Sequence, residues 1–145
     1  MNDRPAPANR RELIRQFFRY ADAGDTRALE FYTEDVDLTY PKFGKAIGKD
    51  AVRTFITHMS GVFGRLEHDI DGLSFIEDGD KIVVEGRERG EMADGTPFPD
   101  GRISQGLFCN VYEFEGDLFR AVRIYVDPDF TSSDAAMLST LRPAG

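Results

Sequence analysis

Apolar residues in the first half of the chain recur at helical spacing in two segments. The first set repeats every three or four positions: Leu13, Ile14, Phe17, Phe18 and Ala21. This spacing predicts an amphipathic helix with Asn9 as its N-cap and Gly24 at its end. Asp25 then begins a shorter helix that runs to Tyr32. The second set predicts a third helix over 49–63: Val52, Phe55, Ile56, Met59 and Phe63.

The rest of the chain alternates apolar and polar residues between turns rich in Gly, Asp and Pro, which is typical of β-strands. Strands are predicted over 36–40, 66–76, 81–92, 102–114 and 118–126. Consecutive strands joined by short connections are antiparallel neighbours, so the fold class is α+β with helices packed on one face of the sheet. We expect one domain over 9–128, a flexible N-terminal arm over 1–8 and a C-terminal tail over 129–145.

The length of the chain indicates one domain, and its charge limits the kinds of partner. A chain of 145 residues has the size of one domain with one core. Its net charge of −8 argues against nucleic acid and anionic membranes, because both are bound mainly by Lys and Arg. No long apolar segment or signal-peptide pattern is present, so we expect a cytoplasmic protein. Cys109 is the single cysteine, and no His and carboxylate spacing suggests a metal site, so we expect neither metal nor cofactor.

Four segments, within this order of helices and strands, resemble the nuclear-transport-factor-2-like (NTF2-like) superfamily, which includes ketosteroid isomerases and SnoaL-like polyketide cyclases. They are FFRYADAGD at 17–25, LEFYTEDV at 29–36, GKDAV at 48–52 and RIYVDP at 123–128. The resemblance implies a cone-shaped, strongly bent antiparallel sheet wrapped around three N-terminal helices, enclosing a pocket. Because this fold hosts isomerases, cyclases, epoxide hydrolases and non-catalytic binders, function depends on the pocket residues.

The ketosteroid isomerase pattern is only partly present. By the resemblance, the position of the catalytic base falls on Tyr40, which is not a carboxylate. The helix-one tyrosine position falls on Phe17, with Tyr20 one turn later, and the position of the oxyanion-binding acid falls on Asn110. The Asn110 amide still donates hydrogen bonds. We therefore expect these four residues to contact a ligand, and we do not expect steroid isomerisation.

Asn110 is a polar residue within an apolar strand. An unpaired buried amide costs about 1–3 kcal/mol, so its partner is either a neighbouring protein group or a ligand carbonyl. Phe108 and Tyr112 share its strand face and are predicted to contact the ligand with it.

On the last strand, Arg123, Tyr125 and Asp127 share one face. The resemblance implies that this face lines the cone, with Arg123 and Asp127 in reach of each other. It also implies a catalytic acid or base at Asp127, since SnoaL-like cyclases carry an Asp near the end of this strand. The alternative is that Asp127 belongs to a turn that ends the strand.

His68 is the second catalytic candidate, because imidazole exchanges protons near neutral pH and Asp69 could orient it. His58 is assigned to helix packing or solvent exposure. Arg89 and Glu91 share a strand face that matches the Arg and carboxylate groups of epoxide hydrolases in this superfamily, although a solvated edge or dimer contact also explains them.

The sequence therefore predicts a SnoaL-like pocket protein for a small hydrophobic organic ligand. One hypothesis is an isomerase, cyclase or lyase that uses acid–base chemistry on a carbonyl-containing or polyketide-like substrate. The alternatives are a non-catalytic binder, an epoxide-hydrolase-like enzyme and an interaction protein that pairs through its sheet. We also expect a homodimer, because the outer sheet face would otherwise expose apolar residues.

Overall fold

The computed structural model describes residues 9–101 and 104–127. Its helices are α1 (Arg10–Asp22), a 3₁₀ helix (Thr26–Phe31) and α2 (Lys49–Val62). The strands within these residues are β1 (Tyr32–Tyr40), β2 (Gly44–Ile47), β3 (Phe63–His68), β4 (Ser74–Asp78), β5 (Lys81–Met92), β6 (Pro97–Phe98), β7 (Leu107–Glu115) and β8 (Leu118–Val126). The expected arm over 1–8 and tail over 129–145 lie outside the described residues.

Helix α1 follows the sequence pattern closely. The side chain of Asn9 accepts a hydrogen bond from the Arg11 backbone N–H at 3.0 Å, so it is the predicted N-cap. Ile14, Phe17 and Phe18 are buried against the sheet. The helix therefore directs its apolar side, and its last turn, towards the concave face of the sheet.

The strands form one strongly curled sheet in the order β2-β1-β8-β7-β5-β3, with β4 and β6 also paired to β5. The predicted α+β cone is confirmed. One detail of the prediction is wrong, because β1 and β8 pair in parallel and the sheet is therefore mixed. Local sequence patterns do not predict this pair, because α2 and all the intervening strands separate β1 from β8 along the chain.

The predicted strand over 66–76 is two strands. β3 pairs with the second half of β5, through His68↔Glu88, and β4 pairs with the first half of β5. Between them, the Asp69 carboxylate accepts the Gly72 N–H at 3.3 Å in a tight turn. The two halves of β5 therefore pair with different strands on the same side.

Gly90 permits the close approach of β3 to β5. A Cβ atom at Gly90 would lie 1.9 Å from the Arg65 carbonyl oxygen, so a larger side chain does not fit. The sequence alone also missed β2 and β6. The strand predicted over 102–114 begins at Leu107, and residues 102–103 lie outside the described part of the chain.

An aromatic core fills the closed end of the cone. Phe119 is fully buried and its ring centroid lies 5.3 Å from that of Phe17 and 4.7 Å from that of Tyr112. Tyr32 and Phe114 pack edge-on against the same ring. This cluster joins α1, β1, β7 and β8, and so fixes the walls of the space beyond it.

Candidate functional site

A cavity of about 420 Å³ lies between the helices and the concave face of the sheet. Most of its wall is apolar, with side chains from α1, α2, the 3₁₀ helix and the inner faces of β1, β7 and β8. The polar or ionisable residues that line it within the sheet are His68, Glu88, Asn110, Tyr32, Tyr40 and Tyr112. A largely apolar cavity with a few convergent polar groups is typical of a small-molecule site.

His68, at the end of β3, lies between two carboxylates. Its Nδ1 is 2.6 Å from an oxygen of Asp22, the last residue of α1, whose other oxygen accepts the His68 backbone N–H at 2.8 Å. Its Nε2 lies 3.3 Å from a carboxylate oxygen of Glu88 on β5. Phe18 and Phe108 pack on the imidazole with ring centroids at 4.4 Å and 5.2 Å. The imidazole is thereby fixed in position and largely shielded from water.

The environment of His68 favours its charged form. Burial alone would lower its pKa, but the hydrogen bonds and charges of Asp22 and Glu88 outweigh burial and raise the pKa to about 9. The ring is therefore an imidazolium at neutral pH. Glu88 is only 6% exposed, so the network places a histidine cation and a buried carboxylate side by side in the cavity wall.

A second polar group lies on β7. The Asn110 amide nitrogen donates to the Tyr112 hydroxyl at 3.2 Å, and both side chains are buried. Among the residues that the structure describes, the Asn110 amide oxygen has no hydrogen-bond partner. Of the two kinds of partner expected from sequence, the neighbouring tyrosine is present, and the amide oxygen is buried without a partner.

The three tyrosines of the cavity wall hold their hydroxyl protons. Burial raises the pKa of Tyr32, Tyr40 and Tyr112 well above the usual range, and the Glu88 charge raises that of Tyr40 further. These hydroxyls therefore serve as neutral hydrogen-bond donors.

The predicted orientation of the last strand is wrong. Val122, Ile124 and Val126 of β8 line the cavity, whereas Tyr125 is 45% exposed on the outer face. The apolar set faces inward because the inner side of β8 packs on the aromatic core and the cavity. The sequence offered two consistent faces, and the polar one was assigned to the cone only by resemblance.

Arg123 and Asp127 do not interact as expected. Arg123 forms an ion pair with Glu113 on the outer face of the sheet. The Asp127 carboxylate accepts the Ser104 hydroxyl at 2.6 Å and the Gln105 N–H at 2.8 Å, and it is not among the residues that line the cavity. The alternative interpretation, in which Asp127 ends the strand, describes these contacts better than a role in the cavity.

The other predicted residues fall into two groups. Those that line the cavity are Phe17, Tyr40, His68, Phe108, Asn110 and Tyr112. Tyr20 is not in the lining; it contacts Phe31 and lies under the Arg27 guanidinium. Arg89 is exposed and near Glu67, which places it away from the cavity and leaves the epoxide-hydrolase-like arrangement without support.

Sequence reasoning missed Asp22 and Glu88, although each carries a signal. Glu88 follows Ile82 and Val84 at even spacing, so strand alternation places it on the buried face. Asp22 lies four residues after Phe18, on the same side of α1. A charged residue that continues a buried face is the sign of a functional or paired group.

The described residues offer neither a metal-binding cluster nor a membrane-spanning helix. Within 9–101 and 104–127, no group of three or more His, Cys, Asp or Glu side chains has an arrangement suited to a metal ion. In the same residues, no helix has the length and apolar character needed to cross a membrane.

The curled sheet, the helices inside it and the cavity between them define a protein of the NTF2-like class. A model of the SnoaL-like domain family matches residues 14–136, so the chain belongs to this family. No curated protein matches it in sequence.

Solved structures share the fold at low sequence identity. An NTF2-like protein of unknown function from Burkholderia pseudomallei has a TM-score of 0.70 and 23% identity, over 94% of this chain and 99% of that chain. TerC, co-crystallised with polyporic acid, has a TM-score of 0.68 and 18% identity, over 91% and 99%. A candidate polyketide cyclase from Xanthomonas campestris has a TM-score of 0.68 and 16% identity, over 90% and 97%. These similarities show a common architecture and leave the chemistry to the residues of this chain.

Proposed function

We propose that this protein is a SnoaL-like enzyme that moves a proton on a small, mostly apolar organic molecule with a carbonyl group. The observation that carries the proposal is the Asp22–His68–Glu88 network, in which His68 and Glu88 line a largely apolar cavity. A buried acid beside a buried base in a largely apolar cavity is suited to proton transfer at carbon.

The two groups have different roles. The Glu88 carboxylate takes a proton from the carbon next to the substrate carbonyl, and the electrons of that C–H bond form a C=C bond. His68 Nε2 gives its proton to the carbonyl oxygen, so the product is an enol, with Glu88 protonated and His68 neutral. Asp22 holds Nδ1 and stabilises the imidazolium before transfer. Where a further C=C bond is conjugated with the enol, transfer of the Glu88 proton to the far carbon of that bond, with return of the enol O–H proton to His68 Nε2, gives isomerisation. Attack of the enol carbon on a second carbonyl of the substrate gives cyclisation; Glu88 then protonates the new alkoxide and His68 Nε2 takes back the enol O–H proton.

The cavity also favours a particular shape of ligand. Glu88 pairs with Gly106, whereas Asn110 lies four residues further along the neighbouring strand, about 13 Å away at the rise of a β-strand. Apolar side chains separate these two polar positions on the inner face. An elongated ring system with a carbonyl near Glu88 and a hydroxyl or carbonyl near Asn110 fits both. TerC, which shares the fold, was co-crystallised with polyporic acid.

The test is hydrogen–deuterium exchange of 2-tetralone, a bicyclic aromatic ketone, in D₂O. The wild-type protein should accelerate exchange at the carbon next to the carbonyl, and Glu88→Gln and His68→Gln should each lower the catalysed rate by about 100-fold or more. Glu85→Gln is the matched control, because Glu85 lies on the same strand but on its exposed outer face. Its rate should equal that of the wild type.

A second candidate function is non-catalytic binding in the same cavity. Both ring nitrogens of His68 face carboxylates, and this arrangement also occurs in purely structural ion pairs. If 2-tetralone binds, as judged by NMR shifts of cavity residues, while exchange is no faster than in buffer, the enzyme proposal is wrong and the binder remains.

A further inference from the structure

Asp127 lies just beyond β8 and holds a neighbouring loop by two hydrogen bonds. One carboxylate oxygen accepts the Ser104 hydroxyl at 2.6 Å, and the other accepts the Gln105 N–H at 2.8 Å. Ser104 is only 5% exposed, so its hydroxyl is bound in a protected position. Hydrogen bonds to an ionised carboxylate are stronger than those between neutral groups. The segment 104–106 is therefore hydrogen-bonded to the residue that follows β8.

The same segment continues to Glu88. The Ser104 hydroxyl oxygen accepts the Gly106 N–H at 3.1 Å, and the Gly106 carbonyl accepts the Glu88 N–H at 2.8 Å. Gly106 has a φ of +70°, and a Cβ atom there would lie 2.4 Å from the Glu88 carbonyl oxygen. The segment thus packs directly on the backbone of Glu88, at a distance that only glycine allows.

Glu88 is held from the other side by β3. Its register partner on that strand is His68, whose Nε2 is 3.3 Å from the Glu88 carboxylate. The position of the Glu88 carboxylate is therefore determined by two neighbours, β3 and the segment 104–106. A shift of the segment would move Glu88 away from His68, while His68 would still be held by Asp22.

We propose that Asp127 is a positioning residue, which sets the distance between Glu88 and His68 through Ser104 and Gly106. The inference rests on the proposed function, since it assigns Asp127 to the support of that acid–base pair. Asp127 does not touch the substrate. It keeps the backbone of Glu88 in place, so its removal alters the electrostatic environment of His68 from a distance.

The experiment is an NMR titration of the His68 ring protons in the full chain. Ser104→Ala removes the hydroxyl that joins Asp127 to Gly106, and Asp127→Ala removes both hydrogen bonds. Each should lower the pKa of His68 by about 0.5–1 unit, because an opposite charge close to a titrating group shifts its pKa by about 1–3 units and part of that effect is lost. Glu113→Ala is the matched control, since it removes the carboxylate of an ion pair between β7 and β8 that has no connection to Glu88.

A double variant tests whether Ser104 and Asp127 act on His68 through the same chain of hydrogen bonds. The double variant Ser104→Ala/Asp127→Ala should shift the pKa of His68 no further than Asp127→Ala alone, because both changes break the same chain of hydrogen bonds. If Asp127→Ala does not fold, Ser104→Ala decides. A His68 pKa in Ser104→Ala that equals that of Glu113→Ala overturns the inference.

The titration distinguishes a failure of this inference from a failure of the proposed function. If His68 of the wild type titrates near its ordinary value, the network itself is wrong and the proposed function fails with it. If the wild-type pKa is raised and the variants leave it unchanged, only the role of Asp127 is wrong. A role for Asp127 also predicts the kinetics with 2-tetralone. Ser104→Ala should have a lower kcat at an unchanged KM, because the residues that line the cavity are unchanged.

Discussion

His68→Gln tests the buried network without any knowledge of the substrate. Glutamine retains hydrogen-bonding capacity but does not titrate. In the wild type, Asp22 and Glu88 raise the pKa of His68 from 6.5 to about 9. The folded protein therefore binds the His68 proton more tightly than the unfolded chain, and protonation stabilises the fold.

The size and sign of the effect follow from this shift. A change from 6.5 to about 9 corresponds to about 3 kcal/mol of unfolding free energy. Because the pKa of the folded state is the higher one, the full contribution is present below pH 6.5. It decreases as the pH rises and is lost above about pH 9. The stability difference between wild type and His68→Gln should therefore shrink by about 3 kcal/mol over this range.

Urea unfolding of both proteins at half-unit steps from pH 5.5 to pH 10 measures this difference. Groups that titrate elsewhere in the chain contribute equally to both and cancel. His58→Gln is the control, because His58 is exposed on α2, and its difference from wild type should stay flat. A flat difference for His68→Gln, or a His68 titration by NMR near pH 6.5, would refute the assigned network.

Three further outcomes test other parts of the molecule. Asn110→Leu should lower the unfolding free energy by about 1–3 kcal/mol, because the buried Tyr112 hydroxyl loses its hydrogen-bond partner; it should weaken 2-naphthol binding about tenfold and leave naphthalene binding unchanged, as measured by calorimetry. Phe119→Ala should cost about 3–5 kcal/mol in urea unfolding, because the ring is fully buried among aromatic neighbours, and a cost below 1 kcal/mol would contradict that packing. We also expect a homodimer, because Tyr125 and Leu107 are 45% and 44% exposed on the outer sheet face; sedimentation at micromolar concentration that shows only a 16.3 kDa species would exclude it.

The local pattern was enough to place the helices. The spacing of Ile14, Phe17 and Phe18 predicts the buried side of α1, and Asn9 predicts its start, because helix caps and amphipathic faces depend on residues that are close in sequence. The same holds for β5 and β8, which begin and end at or near their predicted residues. Strand pairing is different, since the parallel contact of β1 with β8 depends on the curvature of the whole sheet.

The direction of a strand's faces is also decided by tertiary context. Along β8 the residues alternate into an apolar and a mixed face, and periodicity does not say which one turns inward. The aromatic core selects the apolar face, since Val122 packs beside Tyr112 and the outer face retains the Arg123–Glu113 ion pair. The family pattern placed Asp127 in the cavity, whereas in the structure its carboxylate accepts hydrogen bonds from Ser104 and Gln105.

The chemistry of the candidate site could not be predicted from local patterns, because it depends on residues that are far apart in sequence. His68 was a reasonable candidate from its type alone, but the expected partner, Asp69, binds Gly72 in the turn after β3 instead. The partners that raise its pKa come from α1 and β5, and each was hidden in an element assigned to packing or solvent. Neither helix periodicity nor strand alternation brings these elements together. The register of β3 with β5 does, because it sets His68 opposite Glu88, and the Asp22 carboxylate contacts the same imidazole. The pairing of β3 with β5, which the sequence pattern did not predict, therefore brings the acid–base pair together.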